Sequence, residues 1–277
     1  MRWCGSGARR FGNGPSGRGI AAGWWRTLII HRDGTGWKWF PSRAGLLYGV
    51  TVISPRNIWA VDTLVLHWNG TKLKQVPTPV RGTLLAVDAS SPTHVWAVGE
   101  HDHGSVRKTL VLRCNGTAWK RVASPNPAGS AGSNLNVLDG VAAISRENVW
   151  AVGFDGSRAP VRNTLILHWN GTKWKHVPSP NPGGSNGSVL ARVAATSASN
   201  VWAVGGYSVS TAFSRTLIAR WTGTKWKQVA SPNPGGTSAP AVNTLHAVAA
   251  TSAVNVWAVG WSAGPEPGES ALAIHRC

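Results

Sequence analysis

Apolar and polar positions alternate in short blocks that return about every fifty residues. The block from 137 to 178 shows the unit. VLDGVAAIS is an apolar run of small residues, closed by a polar turn at Arg146–Asn148. VWAVG is a second run that ends at Gly153, TLILHW is a third, and KWKHV is a fourth in which lysines alternate with apolar residues. Short runs rich in β-branched and aromatic residues, bounded by glycine and proline, predict strands. Asn170-Gly171 predicts a tight turn between the last two runs, because both residues tolerate positive φ. PSPNP then ends the fourth strand, since proline cannot donate to a ladder. Each unit therefore reads as four antiparallel strands, A to D.

The third and fourth runs recur as TLIIHRDGTGWK at 27–38, TLVLHWNGTKLK at 63–74, TLVLRCNGTAWK at 109–120, TLILHWNGTKWK at 164–175 and TLIARWTGTKWK at 216–227, with ALAIHRC at 271–277. The second run recurs at 57–62, 94–99, 148–153, 200–205 and 255–260. Repeats this small cannot bury their own apolar faces and must stack. Four short strands per repeat predict the blades of a β-propeller. Strand A carries VAA at 141–143, 193–195 and 248–250, small enough for a crowded axis. Strands B and D carry Trp59, Trp96, Trp150, Trp202 and Trp257, and Trp37, Trp119, Trp174 and Trp226, large enough for gaps that widen outward. Nearly all seventeen tryptophans are expected in the core. The expected fold class is all-β, with about five blades over 24–277 as one domain and both terminal blades incomplete. A fragment of a six- or seven-bladed ring is the alternative. Residues 1–23, with four arginines among glycines and no apolar stretch, are expected to be a disordered or mis-assigned leader, not a secretory signal.

The formal net charge of +18 opens the way to anionic glycans, nucleic acid or acidic membrane surfaces. The lysines of the KWK and KLK segments, however, alternate with packed residues on the outermost strand, where lysine guards an edge against pairing. No stretch of about 18 apolar residues is present, so no transmembrane helix is expected. Cys4, Cys114 and Cys277 fit neither a zinc site nor a disulfide framework. Cys114 takes the position of Trp68, Trp169 and Trp221 as a small apolar substitute. His101-Asp102-His103 offers ligand types without a third partner, and no metal, cofactor or catalytic residue is assigned. The Asn-Gly-Thr triplets read as hairpin turns.

The alternation of VWAVG with W-N-G-T-x-W resembles bacterial two-component-regulator propeller repeats and, more loosely, Kelch and Asp-box propellers. The resemblance covers about residues 20–276 and implies a secreted or surface-exposed binding or scaffold unit. It transfers no catalytic residue. The Asp-box pattern, the Kelch-oxidase copper ligands and the sialidase arginine triad are not matched.

Strand order places the short A–B and C–D turns on one side and the long, variable B–C and D–A connections on the other. Binding residues ride such loops on a rigid scaffold. The candidate ligand-binding residues are the aromatics after the glycine of strand B, Phe154, Tyr207 and Trp261. With them stand the basic residues before strand C: Arg107 and Lys108, Arg162 and Arg215, with Arg26 in the first copy. The expected function is a non-catalytic binding or scaffold propeller that recognises a cell-surface glycan. The alternatives are an electrostatic binder of nucleic acid or acidic polysaccharide, with nucleic acid the less favoured, a truncated or decayed propeller, and a propeller-type hydrolase or lyase.

Overall fold

The structure, a computed structural model, describes residues 28–32, 35–41, 46–129, 132, 134–156, 161–264 and 268–276. The expected leader, 1–23, and Arg26 lie outside them. β1 (Leu28–Arg32) and β2 (Trp37–Pro41) form a hairpin by themselves. The first blade is β3 (Gly49–Ser54), β4 (Asn57–Val61), β5 (Val65–Trp68) and β6 (Leu73–Val76). The second is β7 (Thr83–Ser91), β8 (His94–His103), β9 (Val106–Cys114) and β10 (Trp119–Arg121). The third is β11 (Leu135–Ala143), β12 (Val149–Gly156), β13 (Arg162–Trp169) and β14 (Trp174–His176). The fourth is β15 (Ser188–Ser197), β16 (Asn200–Ser210), β17 (Phe213–Trp221) and β18 (Trp226–Val229). The fifth has three strands, β19 (Val242–Ala250), β20 (Val256–Ala263) and β21 (Ser270–Arg276).

Every blade is antiparallel in chain order, and the innermost strands β3, β7, β11, β15 and β19 follow one another around an axis. The protein is a β-propeller with incomplete terminal units. The alanines expected near the axis are there: Ala142, Ala143, Ala194, Ala195, Ala249 and Ala250 line one axial cavity of about 330 Å3. Asp88 takes the place of one such alanine. Its carboxylate accepts from the Ala143 N–H at 2.8 Å and from Thr51 Oγ1 at 3.4 Å, tying three blades together.

The first three joints between blades are built the same way, whereas the fourth, onto the three-stranded fifth blade, brings Arg276 over Trp202 instead. The strand-B tryptophan of one blade meets the edge of the strand-D tryptophan of the next: Trp59 with Trp119 at 5.3 Å, Trp96 with Trp174 at 5.4 Å and Trp150 with Trp226 at 5.3 Å. The interplanar angles of 88°, 86° and 81° are the edge-to-face arrangement favoured by ring quadrupoles. These strand-B indoles are 0–2% exposed. Removing a tryptophan from water contributes about 4–6 kcal/mol as an upper bound. Within each blade the other face of the same indole is covered from strand C. His67, His168 and His275 stack on Trp59, Trp150 and Trp257, with centroids 4.0, 4.2 and 4.2 Å away. Arg113 and Arg220 lie over Trp96 and Trp202 instead. Each stacked histidine is held through Nε2 by the asparagine two residues before the tryptophan, Asn57, Asn148 or Asn255, at 3.0, 2.9 and 3.0 Å.

Among the described residues three tryptophans depart from the expected core: Trp37, Trp39 and Trp257 are 54%, 56% and 48% exposed. All three lie on terminal units, where no further blade covers them. The β1–β2 hairpin leans on the first blade through Phe40 and Trp68, 5.0 Å apart, and an apolar cavity of about 230 Å3 remains between them. Cys114 is fully buried opposite Trp119, and burial pushes its thiol pKa up, as a packing substitute requires.

Truncating Trp150 to Ala leaves an indole-sized void in a closed joint and is expected to lower stability by about 3–5 kcal/mol, against less than about 1 kcal/mol for Trp39→Ala. Urea denaturation followed by circular dichroism measures both.

Candidate functional site

The expected long loops between strands B and C are largely not loops. β8 and β9 continue to His103 and Val106, leaving Gly104 and Ser105 as the turn, and β16 and β17 continue to Ser210 and Phe213. Their polar, Gly- and Ser-rich sequences hide strands because these hairpins project beyond the covered part of the sheet. One parallel residue pair then ties each hairpin to the start of the next blade, Arg107 with Leu135 and Phe213 with Ala241.

The D–A connections are clamped onto the same side. In the second blade the Thr109 N–H donates to Asn126 Oδ1 at 2.8 Å, and its hydroxyl contacts Ser124 Oγ at 2.7 Å and the Pro125 carbonyl at 3.2 Å. Thr164 repeats this with Asn181, Ser179 and Pro180, and Thr216 with Asn233, Ser231 and Pro232. The Ser-Pro-Asn-Pro segments are therefore templates for the first threonine of strand C. Asn136 and Asn243, both 0% exposed, complete the frame. Asn243 accepts from the Gly235 N–H and donates to the carbonyls of Ser214 and Gly236.

On this frame an open groove of about 460 Å3 lies between the third, fourth and fifth blades, lined among others by Arg162, Asn186, Ser188, Tyr207, Ser208 and Thr244. Among the described residues that line it, none is Asp, Glu, His or Cys. Asn186 is fixed by donating to the Val209 carbonyl at 2.8 Å, and Ser208 by its N–H to the Gly187 carbonyl at 2.9 Å. The groove offers one phenol ring, one guanidinium and several hydroxyl and amide groups.

The register separates the three sequence-identified aromatics. Phe154 pairs with Thr164, one residue after the strand-B glycine, and Trp261 pairs with Ala271 at the equivalent place. In the fourth blade Gly206 holds that place, opposite Thr216, and Tyr207 is one residue further on. Strand alternation therefore turns Tyr207 to the opposite sheet face, where it packs against the joint between the third and fourth blades and lines the groove. Trp261 is half-buried opposite groove-lining Thr244.

The basic residues also divide. Arg162 is exposed at the groove and lies 4.6 Å over Phe154. Arg215 stands opposite Tyr207, lies over Phe213 and donates to the Thr237 carbonyl at 3.4 Å. Arg107 is engaged by Glu100 at 2.9 Å and Asp102 at 3.5 Å. Lys108 pairs with His101 in the ladder, away from the groove. His101 is itself buried and receives Arg121 Nη2 on Nε2 at 2.7 Å. Burial first, then Arg121, pushes its pKa down. His101 and Asp102 lie on alternate faces of β8, and no group of three or more His, Cys, Asp or Glu suited to a metal occurs among the described residues.

Sequence reasoning placed the axial alanines but missed the irregular register of the strands that carry them. Each innermost strand from the second blade on has an irregular register, after Leu84, Leu138, Leu190 and Leu245, and the extra residues are Leu85, Asp139, Ala191 and His246. Arg192 follows one of them and donates to the carbonyls of Asp139 and Ala191 at 2.6 and 2.7 Å. Asp139 retains some open surface, yet protein surrounds it, and burial pushes its pKa up to about 7. Arg192 and Arg162 oppose that shift and Glu100 adds to it. The signal in the sequence was a lone acid inside an apolar strand-A run.

No family model matches the sequence, and no curated protein matches it. Among solved structures the chain is similar to the WD40 repeats of RRP9, at 14% identity and a TM-score of 0.47. The match covers 73% of this chain and 58% of that one.

The folded state binds the Asp139 proton more tightly than the unfolded state. The stability it contributes is therefore lost as pH rises from the ordinary carboxylate range through about 7. Asp139→Asn is expected to melt with the wild type in acid and above it once the pH exceeds that value. Melting temperature against pH for both proteins measures the gap.

Proposed function

We propose that the protein is a non-catalytic binding propeller that takes a saccharide, preferably one with a carboxylate or sulfate, into the groove between its third, fourth and fifth blades. The observation that carries this reading is the combination of Tyr207 and Arg162 with hydroxyl and amide groups in one open groove. A sugar ring has apolar faces suited to a phenol and hydroxyls suited to Ser, Asn and Thr. An acidic substituent suits a guanidinium that can bond it with two N–H groups. The buried asparagines and the threonine clamps hold this surface before any ligand arrives, which reduces the ordering needed on binding. A lining whose described residues are hydroxyl, amide, phenol, guanidinium and apolar groups supports recognition over catalysis.

Binding of acidic polysaccharide through diffuse charge is the second reading, since the net charge is +18. Against it, Arg107 is neutralised within the chain, Lys175 and Lys227 stand on the outermost strands of two blades, and Lys173 and Lys225 lie in the turns that lead into those strands.

Calorimetric titration with matched neutral and acidic oligosaccharides tests the proposal. Tyr207→Ala and Arg162→Gln are each expected to weaken binding by about tenfold or more, on the scale of one lost charge-assisted bond or ring contact. Equal binding by both variants, or affinity that falls only with salt as counterion release dictates, would remove the groove from the account.

A further inference from the structure

The two ends of the blade series are the two halves of one joint. On the fifth blade, Trp257 and Val259 of β20 are 48% and 43% exposed, and Ala247, Ala249, Ala271 and Ala273 around them are exposed too. The equivalent positions of the third blade, Trp150 and Val152, are 2% and 0% exposed because the fourth blade covers them. Trp257 already has the within-blade half of its environment, the stacked His275. It lacks the edge-on indole that Trp59, Trp96 and Trp150 receive from the following blade.

That indole is present on the β1–β2 hairpin. Arg32 pairs with Trp37 as Trp169 pairs with Trp174 and Trp221 with Trp226. Residues opposite one another share a sheet face, so Leu28, Ile30, Arg32, Trp37 and Trp39 stand on the face opposite Phe40, with Leu28 and Ile30 also bordering the cavity toward the first blade. Leu28 and Ile30 are 68% and 44% exposed, whereas their counterparts Leu165 and Leu167 are fully buried against the preceding blade. A chain with a strand-B face open at one end and a strand-D face open at the other is self-complementary in a head-to-tail sense.

We infer that the fifth blade of one copy docks on the β1–β2 hairpin of a second copy, Trp257 against Trp37, continuing the blade joint across the molecular boundary. The occupant is a second copy because the face that fits Trp257 is carried by the chain itself, in the register that closes the joints at Trp96 and Trp150. Such a contact is heterologous and generates closed rings or open assemblies, according to the rotation between copies.

Sedimentation velocity across a wide range of protein concentration tests this. The wild-type mass is expected to rise to at least twice that of the monomer. Trp257→Glu alone and Trp37→Glu alone are each expected to stay monomeric, because each retains one sound face. An equimolar mixture of the two variants is expected to recover a dimer and nothing larger, because it contains one intact pairing. Both residues are exposed, and unchanged far-ultraviolet dichroism of each variant establishes that a monomeric mass is not unfolding. A wild type that stays monomeric throughout overturns the inference, as does a wild-type oligomer that survives both substitutions. A monomeric wild type whose melting temperature falls alike in both variants also overturns it, because the joint then closes within one chain.

Discussion

An indole edge set against an indole face holds this protein together. A four-stranded blade has two apolar faces and no interior, so it gains little by folding alone. The strand-B tryptophan of each of the first three blades is sandwiched between a histidine or arginine of its own blade and a tryptophan of the next, and Trp202 packs against Arg220 of its own blade and Arg276 of the next. Each ring thereby belongs to two repeats at once. Alanines near the axis and indoles further out match the taper between blades. Both sizes follow from one constraint, that flat sheets arranged around an axis diverge with distance from it.

The charged and polar residues follow from what that joint leaves uncovered. Lysines occupy outer strand edges, where they discourage pairing with other chains. Besides the clamps and the buried frame of the candidate site, asparagines recur in two further roles. Asn69, Asn115 and Asn170 accept backbone N–H groups two and three residues ahead, while Gly70, Gly116 and Gly171 take φ of 94°, 97° and 93°. Asn57, Asn148 and Asn255 instead fix the ring that stacks on the strand-B tryptophan. Where strand C carries Arg220, Asn200 no longer has an imidazole to hold and accepts the Trp202 indole N–H at 3.0 Å.

The repeated parts of the fold were legible in the sequence because each is decided locally. Side-chain size marks the distance from the axis, Asn-Gly marks a turn and proline marks the end of a ladder. The candidate site was legible as a side of the molecule and as single residues, but not as a constellation. The threonine clamps join residues more than a dozen positions apart through hydrogen bonds that no periodicity announces. The hairpins that extend strands B and C scatter a few apolar residues, Val106, Tyr207 and Phe213, among glycines, serines and charges, so a pattern search reads them as loops. The extra residue in each innermost strand shifts alternation by one without altering composition, which hid Asp139 and His246. Tyr207 shows the same sensitivity: Gly206 in front of it changes the face it serves.

The single parallel residue pair that ties each projecting hairpin to the next blade has a mechanical consequence. A hairpin attached only to its own sheet would sway independently at its tip. Here Arg107 is tethered to Leu135, and Phe213 to Ala241, so the tip is hinged at its base and braced from the side. Tilting the third or the fifth blade therefore drags along the hairpin of the blade before it, so that each of these two hairpins acts as a strut and not as a separate finger.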